Sequence, residues 1–97
     1  MTSQREKSQI AWFDIPCRDI DRAIGFYGAV LGCHIQKDSP APGFEMGVLP
    51  HEGESVGGCL VASPNEQPSD AGVLIYLNCH GRLDEAIARV EPNGGFV

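Results

Sequence analysis

A chain of 97 residues with a net charge of −6 and 42% hydrophobic residues builds one domain around one core, because a chain this short buries only about 60–65% of its unfolded surface. Its acidic residues are spread along the chain and no basic cluster opposes them, which excludes nucleic acid and anionic membrane as partners, since both need a positive surface. The N-terminal MTSQREKSQ is polar and holds no apolar signal or membrane span, so the expectation is a soluble cytoplasmic protein with a flexible segment over residues 1–9.

Residues 10–16 alternate as a strand does. Ala11, Phe13 and Ile15 share one apolar face, Ile10, Trp12 and Asp14 share the other, and Pro16 ends regular pairing. A helix follows. Asp19 suits its N-cap and Asp21 suits the positive end of its dipole. Ile20, Ala23, Ile24, Tyr27, Val30 and Leu31 recur at helical spacing, and Gly32 sits where a left-handed residue closes the helix.

From Cys33 the pattern changes to short extended runs punctuated by Pro and Gly. CHIQKDS reads as a strand, PAPG as a turn, FEMGVLP as a strand, HEGESVGG as a loop and CLVAS as a strand. PNEQPSD is a polar connector over 64–70. AGVLIYLNC is the most strand-like run in the chain, rich in β-branched and aromatic residues. RLDEAIARVE is a second amphipathic helix with Leu83, Ala86, Ile87 and Val90 on its stripe, stopped by Pro92, Asn93, Gly94 and Gly95, and Phe96–Val97 begin another extended segment.

Cys17, Cys33, Cys59 and Cys79 are widely spaced, which favours reduced, packed thiols over a disulfide framework or a zinc site. His34, His51 and His80 read as surface or turn histidines, because none shares a close-spaced motif with another histidine or a carboxylate. No nucleophilic triad, phosphate loop or dinucleotide fingerprint appears. Asp14 stands out, since a carboxylate in an apolar strand either reaches water or meets a partner.

WFDIPCRDIDRAIGFYGAVLGC resembles the opening of the glyoxalase / bleomycin resistance / extradiol dioxygenase superfamily, the vicinal oxygen chelate proteins, whose first helix reads D-[LI]-D-R-[AS]-I-x-F-Y-x-x-V-L-G. GVLIYLNCHGRLDEAIARVEPNGG resembles the start of that family's second module. The resemblance implies an α+β fold: a βαβββ module over 10–63 and an incomplete second βαβ(ββ) module over 71–97. The curved mixed sheet then carries its helices on the convex side, and Trp12 and Asp14 look into a cleft.

Metal-dependent members of the family hold an ion with four side chains from the first and last strands of each module. By the resemblance these positions fall on Trp12, on Leu74, on Cys59 or Leu60 (the register stays open), and on a strand the chain does not contain. Neither Trp nor Leu can ligate a divalent metal, so no cofactor is expected and the enzyme assignment stays uncertain, leaning against. The leading expectation is a metal-free protein binding a small organic molecule in a cleft formed by Trp12, Asp14, Glu45, Leu74, Tyr76 and Asn78. A bland reading leaves Asp14 simply solvated. The alternatives are a lyase or dioxygenase with a non-standard metal site, and a shortened assembly module without ligand. Two strands lacking from the second module imply a fragment or a naturally shortened member, or else a second copy that supplies the missing pairing, and a homodimer is the expectation.

Overall fold

The computed structural model describes residues 8–97; residues 1–7 of the expected flexible N-terminus lie outside the described residues. Strand β1 (Trp12–Pro16) is followed by helix α1 (Ile20–Leu31), then β2 (Gln36–Ala41), β3 (Phe44–Val48) and β4 (Gly57–Ala62), and later by helix α2 (Leu83–Val90) with a 3-10 turn over Glu91–Asn93. The strands form one mixed sheet in the order β1-β4-β3-β2. β1 runs parallel to β4, while β3 is antiparallel to both β4 and β2. This is the α+β class expected, a βαβββ module with a short second part.

Helix α1 starts and stops where its sequence dictates. The Asp19 carboxylate accepts the Arg22 backbone N–H at 3.1 Å, one of the donors a helix start otherwise leaves unsatisfied. Gly32 adopts φ 66°, and the following Cys33 N–H returns to the Gly28 carbonyl at 3.1 Å, the wrapping bond of a glycine-terminated helix. Its buried residues Ile20, Ala23 and Leu31 meet Ile35, Leu49 and Leu60 in the core, with Phe13 and Ile15 packed alongside. Burying such side chains contributes about 1.5–3 kcal/mol each.

The β2–β3 hairpin turns at Pro42–Gly43, where Gly43 takes φ 75°, the left-handed position that glycine favours. β2 starts at Gln36 rather than Cys33 and runs on through Pro40 and Ala41, with an irregular register between Asp38 and Ala41. That irregularity accommodates a proline, which has no ladder donor.

The second part departs from the expected strands. Residues 71–79 form no hydrogen-bonded strand, and Phe96–Val97 form none either. High β-propensity makes a strand only where a neighbouring backbone is available to pair, and among the described residues neither run has one. Helix α2 forms as expected, but of its stripe only Ala86 is buried, and Leu83 and Ile87 stay exposed. α2 is fastened to α1 by arginines: Arg82 Nε donates to the Leu31 carbonyl at 3.1 Å, and Arg22 reaches back to the Gly94 carbonyl at 3.2 Å.

Candidate cleft beside the first strand

The sheet register decides which side chains can meet. Asp14 lies opposite Cys59 and Ile15 opposite Leu60 across the parallel β1–β4 pair. Leu60 belongs to the core beneath α1, so the alternation of a strand puts Cys59 on the opposite face, together with Trp12 and Asp14. The register left open by the sequence is thereby settled in favour of Cys59 on the Asp14 side.

On that face three polar groups form one small network. Trp12 Nε1 donates to Asp14 Oδ1 at 3.1 Å, and Cys59 Sγ donates to the same oxygen at 3.2 Å. The Trp12 ring meets His51 edge-on, with centroids 6.2 Å apart. Gly57 makes this possible: a Cβ there would lie 2.6 Å from His51 Cδ2 and 2.8 Å from Trp12 Cζ3. Burial and the neighbouring Asp14 carboxylate push the Cys59 thiol up to about 12, because both disfavour the thiolate. Cys59 is therefore a protonated donor near neutral pH and a poor nucleophile or soft-metal ligand.

β1 is the last strand of the sheet, and the irregular run through Val73–Asn78 lies beside it across a cleft of about 910 Å³. The cleft brings together five of the six residues singled out from the sequence: Trp12, Asp14, Leu74, Tyr76 and Asn78. It does not bring in Glu45. That carboxylate sits 3.4 Å from Lys37 Nζ, which also bridges to Asp21 of α1 at 2.9 Å. Glu45 also shares its side of β3 with Gly47, whose Cα faces Ile24 and Ile35. It thus belongs to the helix side of the sheet, and its placement in the cleft is corrected.

The cleft is also wider in origin than the sequence implied. Phe13, Leu31, Cys33 and Leu49, from the helix side, line it together with Trp12 and Asp14, so it wraps the free edge of β1 instead of occupying one face. Arg82 at its rim was not foreseen, and neither was Leu49; a basic residue one position before a helix carries no signal of its own. Arg82 is occupied by the Leu31 and Asn78 carbonyls.

The metal that the fold family implies does not fit this donor set. Trp12 and Leu74 offer no ligand atom, Cys59 holds its proton against Asp14, and among the described residues no three His, Cys, Asp or Glu side chains gather where an ion could be held. No helix among the described residues is long and apolar enough to cross a membrane.

No curated protein and no solved structure matches the chain. Residues 9–47, which span β1, α1, β2 and most of β3, are similar to the family described as bleomycin resistance protein-like N-terminal.

Proposed function

We propose that this chain binds a small organic molecule in the cleft beside β1, without a metal ion and without transforming its ligand. The observation that carries this reading is the composition of the cleft wall. Apolar side chains from β1, α1 and the 73–78 run surround a single carboxylate, Asp14, and small-ligand sites combine apolar walls with a few convergent polar groups in this way.

Both internal donors use Asp14 Oδ1, which leaves Oδ2 for a ligand. The Trp12 ring beside it favours a cation or an aromatic plane. The ligand class is thus an aromatic or aliphatic body carrying a protonated amine. Cys59, which donates to Asp14 from behind the cleft wall, is held protonated, and Arg82 is tied to backbone carbonyls, which supports binding over nucleophilic chemistry.

Trp12 is the only tryptophan in the chain, so its fluorescence reports directly on the cleft. Titration with a panel of small aromatic amines is expected to quench or shift that emission saturably and to raise the melting temperature. Asp14→Asn is expected to weaken amine binding about tenfold, the loss of one exposed charge-assisted hydrogen bond, while leaving neutral aromatics unaffected. Saturable binding that ignores the amine and survives Asp14→Asn refutes the ligand class; no saturable response from any member refutes the binding function.

A further inference from the structure

We propose that Asn93–Gly94, just beyond α2, is a site of covalent modification. The Asn93 side-chain amide is lost to give aspartyl and isoaspartyl products, at a rate set by how often the last turn of α2 opens. The inference is independent of the ligand reading.

The chemistry starts from the dipeptide. Of the three asparagines, Asn65 precedes Glu66, Asn78 precedes Cys79, and Asn93 alone precedes a glycine. Glycine has no Cβ to obstruct approach to its own backbone nitrogen. The Gly94 nitrogen gives up its proton and bonds to Asn93 Cγ, and the carboxamide nitrogen leaves as ammonia with that proton. Water then opens the resulting five-membered imide. Hydrolysis at the side-chain carbonyl leaves aspartate, and hydrolysis at the main-chain carbonyl leaves isoaspartate, whose backbone runs through one extra carbon. Water is the only co-reactant.

The fold supplies the brake. Asn93 is exposed, so water reaches it, yet both reacting groups are held. Asn93 Nδ2 donates to the Arg89 carbonyl at 2.7 Å, which keeps the leaving amide against α2. The Gly94 N–H donates to the Glu91 carbonyl at 3.1 Å, which keeps the attacking nitrogen protonated and turned toward that carbonyl. The Gly95 N–H adds a third tie, to the Val90 carbonyl at 2.9 Å. All three acceptors belong to the last turn of α2 or to the 3-10 turn after it, so attack waits on local opening.

Modification then loosens what restrained it. An ionised acid at position 93 has no hydrogen to give the Arg89 carbonyl, and it adds negative charge at the end of a helix that already carries partial negative charge. The isoaspartyl product also lengthens the main chain just before Gly94, whose carbonyl accepts from Arg22 of α1 at 3.2 Å. Both changes weaken the hold of the second part on α1.

The test incubates the full chain in mildly alkaline, ammonia-free buffer, native and in guanidinium chloride, and maps peptides by mass. The amide-to-acid gain is expected at Asn93 ahead of Asn65 and Asn78, as two chromatographically distinct products. It is expected to run about tenfold faster in guanidinium, where both restraining hydrogen bonds are lost. Ala86→Gly weakens α2 and removes its buried methyl, and is expected to speed the native reaction about fivefold without changing the unfolded rate. The modified fraction, separated by anion exchange, is expected to show faster amide hydrogen exchange over residues 83–90. No gain at Asn93 in guanidinium overturns the site. Equal native and unfolded rates, or a native rate that Ala86→Gly leaves unchanged, overturn its control by the fold. Unchanged exchange over α2 in the modified fraction overturns the loosening.

Discussion

Cys59 donates its thiol hydrogen to Asp14 Oδ1 at 3.2 Å across the parallel β1–β4 pair, and Trp12 Nε1 donates to the same oxygen at 3.1 Å. One carboxylate oxygen thus ties together the edge strand, the central strand and the aromatic ring at the mouth of the cleft. The arrangement satisfies a polar group within a mostly apolar sheet, and it also fixes the protonation of its buried cysteine.

Because the thiol is 1% exposed and protonated up to about 12, Cys59 is expected to be the last of the four cysteines to react with iodoacetamide in the native protein. Peptide mass spectrometry over a time course checks this, and labelling of Cys59 at the rate of Cys79 would contradict it.

The same shift predicts alkaline instability. The folded thiol titrates near 12, whereas its ordinary value is 9.0. Between these values the folded state binds more protons than the unfolded state, so stability is intact below about 9 and falls as pH rises toward 12, at up to about 1.4 kcal/mol per pH unit. Cys17, Cys33 and Tyr27 are also shifted upward, chiefly by burial, and act with the same sign. Cys59→Ser is expected to flatten the decline in urea-denaturation midpoints above pH 9 without abolishing it.

Gly57 and Gly58 are adjacent on β4, yet alanine should affect them differently. A Cβ on Gly58 runs into the face of the Phe13 ring, which packs against the core, whereas a Cβ on Gly57 meets His51 and Trp12, both exposed rings. Gly58→Ala is therefore expected to cost about 1–3 kcal/mol through overpacking. Gly57→Ala is expected to cost less, because its rings can swing into solvent, and to change the tryptophan emission more. Paired denaturation curves and fluorescence spectra of the two variants decide between them.

Helix α1 and the faces of β1 were legible in the sequence because their causes are local. Asp19 and Gly32 mark the ends of the helix through bonds that reach only a few residues, and the alternation of Trp12, Phe13, Asp14 and Ile15 needs no knowledge of the rest of the chain. Glu45 was misplaced because its face depends on pairing with β4 and on Lys37, eight positions earlier on a strand whose register is interrupted between Asp38 and Ala41. The run 71–79 reads as a strand from propensity, but pairing depends on a neighbour that propensity cannot supply. The cleft residues on both sides of β1 follow from the position of β1 at the sheet edge, a property of the strand order and not of any motif.

Arg82 shares with Arg22 and Arg89 the docking of the second part onto α1. Its Nε donates to the Leu31 carbonyl at the end of α1, and its Nη2 lies 3.4 Å from the Asn78 carbonyl, so one guanidinium joins the helix, the turn and the 73–78 run. α2 buries only Ala86 fully, with Val90 half-buried and Leu83 and Ile87 exposed, so the charged hydrogen bonds add to a small apolar contact. Arg82→Ala is expected to cost about 1–3 kcal/mol of local stability, read as faster amide hydrogen exchange over residues 83–90 with the exchange of β4 unchanged. Arg82→Lys is expected to restore little, since an ammonium lacks the planar fork that spans two carbonyls. If exchange in β4 accelerates equally, α2 is part of the global folding unit and the docking argument fails.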